Sequence, residues 1–138
     1  MPRSRDLPGT LEVSADLLEV RRLAAFLREA CAAAGVEETA AFDCELALVE
    51  AANNIVEHGY VGQGGGTIAI EIRAEQDRMN IVLTDRGSPV PKDFFNRCRI
   101  VPLDAEEGRG CGIIQSCIDE IDYSSQGGVN RLTMVKRL

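Results

Sequence analysis

The chain has 138 residues, 45% of them hydrophobic and 27% charged, with a formal net charge of −7. This is enough for one compact domain with a real core, and too apolar for disorder. The acidic balance argues against nonspecific attraction to nucleic acid or anionic lipid. No apolar run approaches the roughly 20 residues needed to cross a bilayer, and the start, MPRSRDLPGTLEV, lacks the apolar segment of a signal peptide.

A single domain over residues 1–138 is therefore expected, in the cytoplasm, with neither nucleic acid nor membrane as partner. The five cysteines (Cys31, Cys44, Cys98, Cys111, Cys117) form no CxxC pair, and His58 is the only histidine. That pattern fits reduced, buried thiols better than disulfides or a zinc site.

In chain order, GTLEVSA (9–15) alternates enough to be a first strand. Ser14 or Asp16 is placed to cap a helix in which Leu17, Val20, Leu23, Ala24, Leu27 and Cys31 recur at helical spacing, ending near Gly35. A second helix begins near Glu37 and runs to the glycine-dense HGYVGQGGG. TIAIEIRAE (67–75) alternates as a half-buried strand, QDR turns, and MNIVLTD (79–85) reads as a central strand. A long loop without periodicity leads to EEGRGCG, followed by a third helix through IIQSCID. EIDYSS and VNRLTMVKRL are closing strands joined at QGG. The order predicts an α/β two-layer sandwich, with helices on one face of a mixed, mostly antiparallel sheet.

Three segments carry candidate chemistry. At about 100° per residue, the second helix puts Phe42, Leu46, Leu48, Val49, Ala52, Ile55 and Val56 on a core face. Asp43, Glu50, Asn54 and His58 stand opposite, flanked by Ala47 and Ala51. A solvated polar face is one reading of that row. The other is a magnesium–phosphate site: asparagine is a poor helix-interior residue, an amide oxygen is a hard ligand, and a neighbouring carboxylate can take a hydroxyl proton. The alanines on this reading leave clearance for a ligand.

LTDRGSP (83–89) is either a plain turn or a base site, in which Asp85 accepts from an exocyclic amine and Gly87 leaves room for a ring. GRGCG (108–112) opens the third helix, where free N–H groups and the helix dipole favour phosphate. A hinge is the alternative there. It matches neither a Walker A nor a Rossmann pattern.

The order E-x-x-x-N, D-x-G-x-P, loop, G-x-G-x-G resembles the Bergerat-fold, histidine-kinase-like ATPases over nearly the whole chain. LALVEAANNIVEHGY with GRGCGIIQSCIDEI is most similar to the anti-sigma-factor serine/threonine-protein kinases, matching their N-box at Glu50, Ala51, Asn54, His58, Gly59 and Tyr60.

The resemblance implies ATP and Mg as cofactors, with Asn54 as the metal ligand and Glu50 as general base or positioning group. It implies Asp85 as receptor of the adenine amine, Gly87 as clearance for the ring, and Gly108, Gly110 and Gly112 along the triphosphate. Thr133 would make a water-mediated contact beneath adenine, and His58 would support the helix end. Arg97 and Arg99 lie in a lid over residues 90–107. The implied partners are a STAS-type anti-sigma-factor antagonist domain, which is phosphorylated, and a sigma factor, which is sequestered. A homodimer through the first strand and helix is expected. The alternative function is a non-catalytic, nucleotide-responsive binding module. A sensor histidine kinase is disfavoured, because the first helix follows too few residues for a phosphoacceptor helix pair.

Overall fold

A computed structural model describes residues 9–60, 65–91 and 109–138, with backbone alone for 109–111. The elements are β1 (Gly9–Ser14), α1 (Val20–Ala34), α2 (Glu38–Asn54), a π-helical turn (Ile55–Gly59), β2 (Thr67–Ala74), β3 (Arg78–Asp85), α3 (Arg109–Cys117), β4 (Glu120–Gln126) and β5 (Val129–Arg137). The strands form one five-stranded sheet in the order β1-β2-β3-β5-β4. Every described pairing is antiparallel. The two-layer sandwich is as expected, but the mixed character of the sheet narrows to a purely antiparallel one among the described strands.

Period-two alternation explains how the sheet buries one face. Ile68, Ile70 and Ile72 of β2, Met79, Ile81 and Leu83 of β3, and Leu132 and Met134 of β5 are all buried and point toward the helices. The intervening residues form the open face. At the β4–β5 hairpin, Gly127 and Gly128 have φ of 60° and 79°, the two left-handed residues a type I′ turn requires.

Helix α1 buries Val20, Leu23, Ala24, Leu27, Cys31 and Ala34, a single stripe at helical spacing. It ends at Gly35 (φ 71°), whose N–H reaches back to Ala32 and Cys31 carbonyls. Asp16 caps the turn leading into the helix, its Oδ1 accepting from Leu18 N at 2.7 Å, rather than the helix itself.

Helix α2 corrects the expected core face. It packs against both α1 and α3, so its buried stripe consists of the narrow residues Cys44, Ala47, Leu48, Ala51 and Ala52. Phe42 is 64% exposed, whereas Ala47 and Ala51 are 0% and 2% exposed. Bulk dominated the helical-wheel reading, but a helix with close neighbours on two flanks buries small side chains. The alanines are therefore packing surface, not clearance for a ligand.

Candidate functional site

The site grows from the inner face of the sheet at its β3 end. Register places Ile68 of β2 beside Asp85, Asp85 beside Asn130, and Asn130 beside Ser125 of β4, one row across four strands. Asp85 (7% exposed) and Asn130 (2%) are the two buried polar side chains among the described residues. Burial of such groups is tolerable only when they are bonded. Asn130 Nδ2 donates to Asp85 Oδ1 at 2.9 Å and to the Gly87 carbonyl at 2.8 Å, while its Oδ1 accepts from Ser125 Oγ at 2.7 Å. Gly87 N also donates to Asp85 Oδ1, at 2.9 Å. Both bonds to the carboxylate fall on one oxygen, and Oδ2 has no hydrogen-bond partner among the described residues.

The loop after Asp85 is sewn down. Arg86 N donates to the Tyr60 hydroxyl at 2.7 Å, Gly87 N to Asp85, Ser88 N to the Gly59 carbonyl at 2.7 Å, and Val90 N to the Tyr123 hydroxyl at 3.1 Å. Residue 89 is proline and has no N–H. An anion-binding nest needs free amides, so this loop is not a phosphate cradle. Its chemistry is that of one fixed, buried carboxylate.

Gly87 is required here for a reason other than clearance for a ring. A Cβ on it would lie 2.5 Å from the Gly59 carbonyl oxygen and 2.6 Å from its carbon. The space is already filled by the backbone ending the π turn. Such turns often mark functional sites, and this one delivers the end of the α2 segment directly against the Asp85 loop.

Glu50 and Asn54 are half-buried on α2, one turn apart. Helical spacing puts them on the same shoulder as Asp43, whose carboxylate pairs with Lys136 of β5 at 3.1 Å and bonds the Cys117 thiol of α3. That shoulder thus faces α3 and β5. Burial lowers the Lys136 pKa, but its bond to Asp43 and that residue's charge raise it overall. Asn53 lies on the other side, lining a groove of about 550 Å³ with Val20 and Ala24 of α1. Neither Glu50 nor Asn54 has a hydrogen bond or ion pair among the described residues, so the Asn54 amide oxygen and the Glu50 carboxylate fit a magnesium ion and its waters.

Helix α3 starts inside the glycine motif, with Gly110 and Gly112 already in its first turn rather than in a loop before it. The first four N–H groups of a helix have no partner within it, so residues 109–112 present donors as a phosphate site needs. Gly108 and lid residues 92–107, with Arg97 and Arg99, lie outside the described residues.

Thr133 is not brought to the site. It is in register with Val82 and Asp122 on the open face, while Leu132 and Met134 face the helices. A contact beneath a base held by Asp85 is out of reach of its side chain. Asn130, three residues earlier and of the opposite parity, occupies that place, and reading the alternation of β5 would have found it. His58 is exposed. The support expected of it is given instead by Tyr60, which is buried, bonds the Thr67 carbonyl at 2.8 Å and packs its ring on Gly66.

A buried aspartate at a strand end, a carboxylate–amide pair on a neighbouring helix and a glycine-bearing helix start together define a nucleotide-site class of fold. The chain belongs to the histidine kinase-like ATPase domain family, whose model matches residues 13–136. It is 32% identical over 95 residues to the serine-protein kinase RsbW of Halalkalibacterium halodurans, covering 63% of this chain and 57% of that protein. It is 33% identical over 99 residues to the RsbW of Bacillus cereus strain AH187, covering 65% and 60%. The match thus spans about three fifths of these relatives' length. The fold is shared with about a third of the chain in the crystal structure of the RsbU and RsbW domains of Rv1364c from Mycobacterium tuberculosis (TM-score 0.67, 22% identity, 96% of this chain and 32% of that one). It is also shared with the catalytic domain of the histidine kinase ThkA (TM-score 0.57, 14% identity, 94% and 97%). None of the described helices is long and apolar enough to cross a membrane.

Proposed function

We propose that the chain is a Mg·ATP-dependent protein serine kinase of a partner-switching circuit. In this reading it phosphorylates a STAS-type antagonist domain and sequesters a sigma factor or similar regulator. The observation that carries the reading is the Asp85 carboxylate, buried and fixed through one oxygen, with the other available to the amino group of adenine. The names of the RsbW relatives support serine as the acceptor.

In this reading each residue has a task. Asp85 reads the base, held by Asn130 and Gly87. The π turn carries the chain from Asn54 to Gly59, roughly 6–8 Å along the axis, a span that the nucleotide bridges between base and phosphates. The start of α3, with Gly110 and Gly112, donates to the phosphates, a task the family resemblance extends to Gly108. Asn54 would hold magnesium, which neutralises charge on the β- and γ-phosphates. Glu50 aligns the incoming serine hydroxyl and takes its proton as the oxygen bonds to the γ-phosphorus and ADP leaves.

The reading extends to a homodimer through β1, an edge strand with no neighbour on its far side among the described residues, and α1. It also extends to a cytoplasmic setting, where Cys31, Cys44 and Cys117 stay reduced.

Calorimetry with ATP and magnesium on wild type, Asn54→Ala and Asp85→Asn tests the site. Loss of adenine nucleotide binding in Asp85→Asn and of magnesium dependence in Asn54→Ala is expected. Wild-type affinity in Asp85→Asn would overturn the assignment. Phosphoserine formation on a cognate antagonist domain, abolished by Glu50→Gln, tests the activity. ATP binding without any phosphoserine would leave only a nucleotide-responsive binding module.

A further inference from the structure

We propose that the hydroxyls of Tyr60 and Tyr123 are positioning residues for base recognition, holding the Asp85 loop in its binding shape before nucleotide arrives. The inference rests on the reading of Asp85 as the base receptor.

The chain has two tyrosines, and both use the phenolic oxygen as acceptor for a backbone N–H of the same short loop. Tyr60 accepts from Arg86 N, the amide immediately after Asp85, and donates its own O–H to the Thr67 carbonyl. Its hydroxyl therefore ties together the end of the π turn, the start of β2 and the end of β3. Tyr123 takes Val90 N from the other side, and its phenol is close enough to Asp85 to feel that charge. Between these two anchors Gly87 N and Ser88 N are already bonded, and residue 89 has no N–H. The loop thus has no amide left with which to adapt to a ligand.

Such a loop recognises by preorganisation: its ordering cost is met in folding rather than in binding. Remove one anchor and a part-buried N–H is left without its partner. The loop then has reason to rearrange, and Asp85 moves with it. Tyr60 also lies six residues beyond Asn54, so the same bond fixes the base receptor relative to the metal-binding end of α2.

The test uses the full chain with Tyr60→Phe and Tyr123→Phe, which keep the rings and remove only the hydroxyls. Affinities for Mg·ATP and Mg·GTP are measured by calorimetry, at a temperature where thermal melts show each variant folded. ATP affinity should fall about ten-fold in Tyr60→Phe and several-fold in Tyr123→Phe, with GTP affinity unchanged. The ATP-over-GTP preference is thereby compressed, and adding Asp85→Asn to Tyr60→Phe should cost little more than Asp85→Asn alone. A merely structural role would weaken both nucleotides alike, or lower the melting temperature while leaving the ATP-over-GTP preference at its wild-type value, and either result overturns the proposal.

Amide hydrogen exchange on wild type gives a second measurement that does not depend on a variant folding. Arg86 and Val90 amides should be protected without nucleotide, and exchange at unstructured-peptide rates would overturn the proposal equally. The two readings fail separately. If wild type does not bind ATP, the function falls; if Asp85→Asn loses ATP while Tyr60→Phe keeps it, only the tyrosine anchors fall.

Discussion

Replacing Gly87 with alanine should damage this protein far more than replacing Gly59, though the two glycines touch each other. A Cβ at residue 87 would sit 2.5, 2.6 and 3.0 Å from the carbonyl oxygen, carbonyl carbon and Cα of Gly59. Unbonded carbon atoms settle at about 3.5–4.0 Å, so the two backbones must part by roughly 1 Å. No flexible side chain is there to yield. Overpacking of this kind costs about 1–3 kcal/mol, and lifting the loop also strains the 2.7 Å bond from Ser88 N to the Gly59 carbonyl, worth about 0.5–1.5 kcal/mol. The expected loss is therefore about 2–4 kcal/mol, or about 1–2 M in the urea midpoint of a protein this size. A Cβ on Gly59 meets nothing nearer than Ile55 Cγ2 at 3.6 Å, so Gly59→Ala should stay within about 0.5 kcal/mol of wild type. Urea unfolding of both variants decides the matter, and ATP calorimetry on Gly87→Ala should show weakened binding wherever the protein remains folded. Equal midpoints for the two variants would refute the close-approach argument.

Thr133→Val, on the open face, should change ATP affinity by less than about two-fold, whereas Asn130→Ala should lose at least about ten-fold because Asp85 loses its buried partner; calorimetry on the pair compares them, and the reverse order would return Thr133 to the site. Burial pushes the thiols of Cys31 and Cys44 from an ordinary value of 9.0 up to about 11 and about 12, with the charge of Glu45 adding at Cys31 and that of Cys31 at Cys44. Between pH 9 and those values the unfolded chain releases thiol protons that the native one keeps. Stability should thus be fully retained below pH 9 and then fall with rising pH, by about 1.4 kcal/mol per pH unit for each thiol. Urea midpoints at pH 8, 9.5 and 10.5 should show that slope, and Cys44→Ala should flatten it. An unchanged slope in the variant would refute the assignment.

Strand β4, with no fully buried residue, was legible mainly from the glycine turn that joins it to β5. Strands β2, β3 and β5 were legible because each has one buried face, and alternation is a strong signal under that condition. The helix α1 was legible for the same reason at a different period. Helix α2 was misread because Phe42 and Leu46 outweighed Ala47 and Ala51 on the wheel, and only the presence of α3 on its second flank explains the choice. Asn54 was singled out because asparagine is a poor helix-interior residue, and Glu50 and Asp85 because a carboxylate stands one turn before it and at a strand end. Asn130 was missed in favour of Thr133, although the parity of Leu132 and Met134 distinguishes them. Tyr60 was quoted only as part of a motif, since a tyrosine's value as a two-way hydrogen-bond anchor depends on loops that sequence does not bring together.

The π turn at Ile55–Gly59 sets limits on how this protein can change over generations. Shortening the segment by one residue would swing everything after it about 100° around the helix axis, tearing Gly59 from Gly87 and Tyr60 from Arg86 in a single step. Exposed Glu57 and His58 can be exchanged one at a time at small cost. A lineage is therefore free to respell this stretch but not to alter its length, because the length is what keeps the two ends of the site in phase.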